Sequence, residues 1–170
     1  MGLKTPQQYI DSLNDGRVDA GSGLCLLGDG KGGFRPLSPS ESGISLQGQQ
    51  RGAAVGDFNR DGRPDLCVGQ NNGNTALYQN VAGRPLTCVR LRYSADNPFG
   101  IGGTVRVCQD GKPVGPVHPI LAGSGDRSCN ASIAFVPRSN SNTTIEVTWP
   151  GGRRTTHLLQ AMAQEVVLSP

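Results

Sequence analysis

The stretch Asp57-Phe58-Asn59-Arg60-Asp61-Gly62-Arg63-Pro64-Asp65-Leu66 constrains this chain more than any other. Side-chain oxygens stand at its first, third, fifth and ninth positions, with a glycine at the sixth. Alternate residues of a tight loop aim their side chains inward, and calcium takes about six to eight oxygen ligands. Gly62 permits the positive φ that folds such a loop back on itself. The candidate ligands are therefore Asp57, Asn59, Asp61 and Asp65, with the carbonyl of Arg63 at the seventh position. An EF-hand is excluded, because its closing glutamate would fall at Val68 and no helical pattern flanks the loop. Apolar runs, Ala53-Ala54-Val55 before and Leu66-Cys67-Val68 after, make the segment a strand–loop–strand unit. The same Asp, Asn and Gly residues also build Asx turns that hold no metal.

Short strands joined by tight turns are what the composition favours: 25 glycines, 12 prolines and only 5% aromatics in 170 residues. The fold class expected is all-β. The net charge of +3 comes from scattered arginines, with no basic run interleaved with aromatics, so nucleic-acid binding is not expected. No apolar run approaches the roughly 20 residues of a membrane span. Met1-Gly2-Leu3-Lys4 leads into no signal-peptide core, so export information is expected to lie outside this sequence. The cysteines at 25, 67, 88, 108 and 129 are too widely spaced for a compact zinc site. Cys88 and Cys108 both lie opposite an alternating apolar set and are candidates to pair across neighbouring strands in an oxidising compartment. Cys25 and Cys67 read as small buried hydrophobes.

Three segments follow from the pattern: 1–23, 24–83 and 84–170. In the first, Thr5, Pro6 and Gln8 make a helix start, and Tyr9, Ile10 and Leu13 share one face, predicting a helix over about 6–14. A competing alignment sets Asp11, Asp15-Gly16 and Asp19 in register with Asp57, Asp61-Gly62 and Asp65, as a degenerate copy of the loop. Gly21-Ser22-Gly23 reads as linker. The second segment predicts strands at 24–27, 43–46, 52–55, 66–69 and 76–78, with 28–34 a turn carrying Phe34 as an aromatic anchor. In the third, 86–93, 104–108, 117–121, 132–136, 144–149 and 164–168 predict a β-sandwich, with Trp149 in its core.

Residues 51–68, Arg-Gly-Ala-Ala-Val-Gly-Asp-Phe-Asn-Arg-Asp-Gly-Arg-Pro-Asp-Leu-Cys-Val, resemble the FG-GAP/VCBS repeat, the calcium-binding blade unit of integrin-like β-propellers. Gly28–Phe34 is similar to that family's inter-strand turn. The resemblance implies Asp57, Asn59, Asp61 and Asp65 as calcium ligands. Asn97, Gly100-Ile101-Gly102-Gly103, Gly123-Ser124-Gly125 and Val147-Thr148-Trp149-Pro150-Gly151-Gly152 resemble the ASPIC/UnbV domain that follows such repeats in secreted bacterial proteins and cartilage acidic protein-like proteins. The chain departs from that family at Asp126 and Cys129-Asn130, where an aromatic and a glutamine are usual. Residues 2–18 are separately similar to the N-terminus of flavin-dependent aromatic hydroxylases of the 4-hydroxyphenylacetate type, without any flavin-binding or catalytic region.

His118 and His157 have no sequence partner for nucleophilic catalysis, and Ser124 lacks the five-residue elbow of hydrolases. Asp29, Asp110 and Asp126 read as turn formers, so no enzyme is expected. Asn130-Ala-Ser132 and Asn142-Thr-Thr144 match the glycosylation acceptor pattern. A propeller needs about four to eight blades, and segment 24–83 supplies one. Homo-oligomers or filaments are therefore the expected partners, with an extracellular protein or glycan as the alternative ligand. The function implied is that of a calcium-stabilised, non-catalytic extracellular adhesion or assembly module. The alternative is a carbohydrate- or protein-binding accessory domain.

Overall fold

Thirteen strands and one helical turn make up the described part of this computed structural model, which covers residues 21–71, 73–123, 125, 130–138 and 142–170. The protein is all-β. The helix predicted over 6–14 and the rival loop copy over 11–20 lie outside the described residues, as do Ser124, Asp126 and Cys129. The chain divides into two compact units: residues 1–52 with 67–78, and residues 53–66 with 79–170.

In the first unit, β2 (Cys25–Gly28) pairs antiparallel with β3 (Phe34–Leu37). The intervening turn closes on Asp29, whose carboxylate accepts from the N–H groups of Lys31 (2.7 Å) and Gly33 (2.9 Å). Those two bonds hold its carboxyl below the ordinary value, Lys31 contributing most. Phe34 is no anchor, since 70% of it is exposed. Gly21-Ser22 is likewise no linker but β1 (Gly21–Ser22), paired antiparallel with Gly48 and Gln47. Main-chain bonds need no side-chain signal, so composition concealed it.

The strand expected at 43–46 is absent. A short helix, α1 (Pro39–Ser42), stands just before it. Ser38 accepts from the Glu41 N–H while Glu41 accepts from the Ser38 N–H, a reciprocal capping box. Pro39 opens the helix and Gly43, at φ 70°, ends it. The Ser38 N–H, then Arg35 and the Ser38 hydroxyl, lower the Glu41 carboxyl from 4.5 to about 2. A depressed folded-state pKa means the cap contributes above pH 4.5 and is lost as pH falls from there through about 2. An NMR titration of the Glu41 carboxyl carbon should give that low midpoint; a midpoint at 4.5 would show that the cap does not form.

β4 (Gln47–Gly56), β5 (Asp65–Asn71) and β6 (Ala76–Tyr78) complete a four-stranded sheet in the order β1-β4-β5-β6. The ends of β4 and β5 nearest the intervening loop belong to the second unit. That loop is Asp57 to Pro64.

The rest of the second unit is sandwich-like. One sheet has the order β10-β7-β13, from β7 (Leu86–Leu91), β10 (Ile133–Pro137) and β13 (Glu165–Leu168). The other has the order β12-β11-β8-β9, from β8 (Thr104–Gln109), β9 (Lys112–Pro119), β11 (Thr143–Thr148) and β12 (Arg154–Leu158). Alternation places Val89 and Leu91, Ala134 and Val136, Val105 and Val107, and Ile145 and Val147 inward, where they form one buried cluster with Ile120, Leu159 and Leu168. Burying each valine, leucine or isoleucine side chain of this cluster contributes about 1.5–3 kcal/mol. Trp149 is 1% exposed, stacks on Tyr93 (centroids 5.6 Å apart, planes at 15°) and donates from Nε1 to Thr155 Oγ1 (2.8 Å). Its predicted core role is correct.

Asp110-Gly111, with φ of 49° and 74°, makes the two-residue hairpin turn between β8 and β9. Arg154 opens β12. The inward positions of that strand are Thr155 and His157, joined by a 2.7 Å hydrogen bond, so it carries no apolar alternation to read. Cys88 and Cys108 do not pair: they sit on strands of different sheets, and all four described cysteines are free. Burial pushes the Cys88 thiol up. Cys25 and Cys67 are half-buried rather than core.

Candidate functional site

Main-chain N–H groups point into the Asp57–Asp65 loop, and the loop's acidic side chains receive them. Asp57 stands half-buried at the end of β4, with Oδ1 accepting from the Asp61 N–H (3.0 Å) and Oδ2 from the Gly62 N–H (2.8 Å). Asn59 Oδ1 also accepts from the Asp61 N–H (3.1 Å), and Asp61 Oδ1 from the Arg63 N–H (2.8 Å). These nested Asx turns follow from the spacing of oxygen side chains at alternate residues. Arg60 at φ 62° and Gly62 at φ 85° reverse the chain. A Cβ on Gly62 would lie 3.2 Å from the Leu86 carbonyl and would displace the Arg138 guanidinium, and at φ 85° any side chain there is strained.

The loop is also tied to the strands behind it. The Gly62 carbonyl accepts from the Leu86 N–H (2.6 Å), and the Leu86 carbonyl from Arg138 Nε (3.3 Å). Asp65 is the buried member, 3% exposed. Its Oδ2 accepts from the Phe58 N–H (3.0 Å) and its Oδ1 from the Asn80 N–H (2.8 Å). It thus clamps both ends of the loop to the segment that leads out of β6.

Arg63 supplies the local counter-charge. Its Nη1 is 2.9 Å from Asp61 Oδ2, and its Nε donates to the Gly83 carbonyl (2.7 Å). Asn59 Nδ2 donates to the same Asp61 oxygen (2.9 Å). Hydrogen bonding from Asn59, then from the Arg63 main chain and side chain, holds the Asp61 carboxyl below its ordinary range despite some opposing desolvation.

These residues fit a hard cation in donor type. An ionised carboxylate has about four lone-pair sites, and each Asp57 oxygen uses one on the bonds described. Asp57 and Asp65 each accept main-chain N–H groups at both oxygens, but Asp57 is half-buried and Asp65 only 3% exposed, so the donors left for an ion are Asp57, Asn59, Asp61 and the carbonyl of Arg63. Among the described residues no group of three His, Cys, Asp or Glu side chains is placed to hold a metal ion. The clamp depends on Asn80, 15 residues away, and local spacing could not reveal it.

The other sequence candidates are dispersed. His118 is partly buried on β9, and burial lowers its pKa. His157 meets only Thr155 among its described polar contacts. Asn130 accepts from the Val55 N–H (2.8 Å), which anchors the end of β4 in the second unit. Asn142 is exposed at φ 53°. No protein-family model matches the chain, and no curated protein is detectably similar to it. No described helix is long and apolar enough to cross a membrane.

Proposed function

We propose that this chain is a non-catalytic extracellular module in which calcium stabilises the Asp57–Asp65 loop and in which copies of the chain assemble. The observation that carries the reading is the nested turn network of Asp57, Asn59 and Asp61, which sets three oxygen-bearing side chains within one short loop. A bound calcium ion would neutralise the carboxylates of Asp57 and Asp61. The residues that would hold it are Asp57, Asn59, Asp61 and the Arg63 carbonyl, with Asp65 bracing the loop from behind. Arg60, Arg63 and Arg138 all carry positive charge near the site, which keeps affinity weak, in the range of about 10⁻⁴–10⁻³ M common to extracellular calcium modules.

Assembly is supported by the first unit. Leu24, Leu26, Leu27 and Phe34 on or beside the β2–β3 ribbon, and Leu77 on β6, are all exposed. A two-stranded ribbon alone is marginal in water. Neighbouring copies would cover these side chains, as repeat units cover one another.

Thermal unfolding with and without chelator tests the calcium reading. At 10 mM calcium and the affinity above, stabilisation of about 1.4–2.7 kcal/mol is expected from mass action. Asp61→Ala should erase that increment. An identical melting temperature in calcium and in chelator would remove the ion from the account. Light scattering at high protein concentration tests assembly separately, and a monomer under every calcium condition would exclude it.

A further inference from the structure

We infer that the groove over the end of β7 is a binding site for a carboxylated sugar, a uronate-type pyranose. The groove encloses about 880 Å³ within the second unit, and its floor is the run from Arg90 to Ala95. This site is separate from the calcium loop and does not depend on it.

Charge selects the first feature of the occupant. Arg90 and Arg92 line the groove, and among the described lining residues there is no Asp or Glu. Arg90 is committed to Glu165 across the β7–β13 pair. Arg92 is engaged through its main chain, whose N–H donates to the Leu168 carbonyl (2.8 Å), and its guanidinium has no acidic partner among the described residues. A planar guanidinium fork matches a carboxylate in two parallel hydrogen bonds.

A pre-set aromatic plate selects the second feature. Phe99 lines the groove with 59% of its surface exposed. Its turn is locked: Asn97 Nδ2 donates to the Ile101 carbonyl (2.9 Å), and Asn97 Oδ1 accepts from the Ile101 N–H (2.9 Å). Gly100, at φ 62°, packs so closely that a Cβ there would lie 2.9 Å from Leu91 Cβ. Tyr93 is held by its stack on Trp149 and by its hydroxyl, which donates to the Pro150 carbonyl (3.0 Å). The backbone that carries Phe99 and the Tyr93 ring are thus held before a ligand arrives, which lowers the entropic cost of binding.

A pyranose presents an apolar C–H face to such a ring and its hydroxyls to polar groups such as Ser94 and Ser132, which also line the groove. The volume lies within the range of about 300–1,000 Å³ usual for small-ligand sites. An extended acidic peptide is disfavoured. At Arg90, where the groove lies on β7, both flanks are taken by β10 and β13, so main-chain pairing of such a peptide is blocked there.

The test uses the full chain and titration calorimetry against galacturonate and glucuronate oligosaccharides, with neutral galactose and glucose oligomers of equal length as comparators. Uronate binding that weakens about tenfold or more in both Arg92→Ala and Phe99→Ala, but not in Arg154→Ala, supports the site. Both groove positions are exposed, and circular dichroism checks that the variants stay folded. The proposal is overturned by any one of three results: no uronate binding, equal affinity for neutral sugars, or uronate affinity unchanged by either groove substitution. Competition by an Asp/Glu-rich peptide that is indifferent to Phe99→Ala would replace the sugar with an acidic protein segment, and so would also overturn it.

Discussion

Trp149→Ala is expected to cost the second unit about 3–5 kcal/mol, the usual range for truncating a buried tryptophan. The ring fills the space between Tyr93 and the inward residues of β8 and β11, and it is 1% exposed. Its removal opens a cavity, ends a stacked aromatic pair and deprives Thr155 Oγ1 of a donor. Trp149→Phe keeps an aromatic surface and loses the N–H, so it should fall well short of the alanine value. Urea unfolding followed by circular dichroism gives both numbers, since the only tryptophan is the residue being changed. A loss below about 1 kcal/mol for alanine would show that the core does not depend on this ring.

Asp65→Ala should be the second severe change, at about 3 kcal/mol. Two main-chain donors, the N–H groups of Phe58 and Asn80, lose a charged acceptor in a buried place. Asparagine rescues one of them at best, because its amide nitrogen would face the other donor. The comparison with Asp61→Ala separates two roles within one loop. Asp61 is half-buried and bonds Arg63 and Asn59, so its removal should carry a modest calcium-independent cost besides erasing the calcium-dependent increment. Asp65→Ala should lower the melting temperature in chelator as much as in calcium. If Asp65→Ala were harmless in chelator and harmful only with calcium present, Asp65 would be a ligand instead of a clamp.

The strands whose inward positions are aliphatic could be read in the sequence. Ile145 and Val147, or Val105 and Val107, repeat with period two between polar neighbours, and such a repeat fixes which face is buried. Periodicity does not say which strand lies next to which. That is why Cys88 and Cys108, each correctly placed opposite an apolar set, were expected as neighbours and instead occupy different sheets. β12 was hidden because Thr155 and His157 face inward and satisfy each other by hydrogen bonding. β1 was hidden because Gly21-Ser22 carries no apolar alternation to read. In the loop, the turns of Asp57, Asn59 and Asp61 followed from local spacing, while the task of Asp65 required a partner beyond the next strand.

β13 adds a consequence in time. It lies parallel to β7, and the Cys88 N–H reaches the Gln164 carbonyl (2.8 Å), while the buried Thr87 hydroxyl reaches the Ala163 carbonyl, 76 residues further along. The sheet holding Arg90 therefore cannot close until residues beyond 160 have been synthesised, and closing so long a loop delays the rewarding contacts. Until then β7 emerges from the ribosome with one flank open, a window in which a chaperone or a second nascent chain can reach it before its own final strand does.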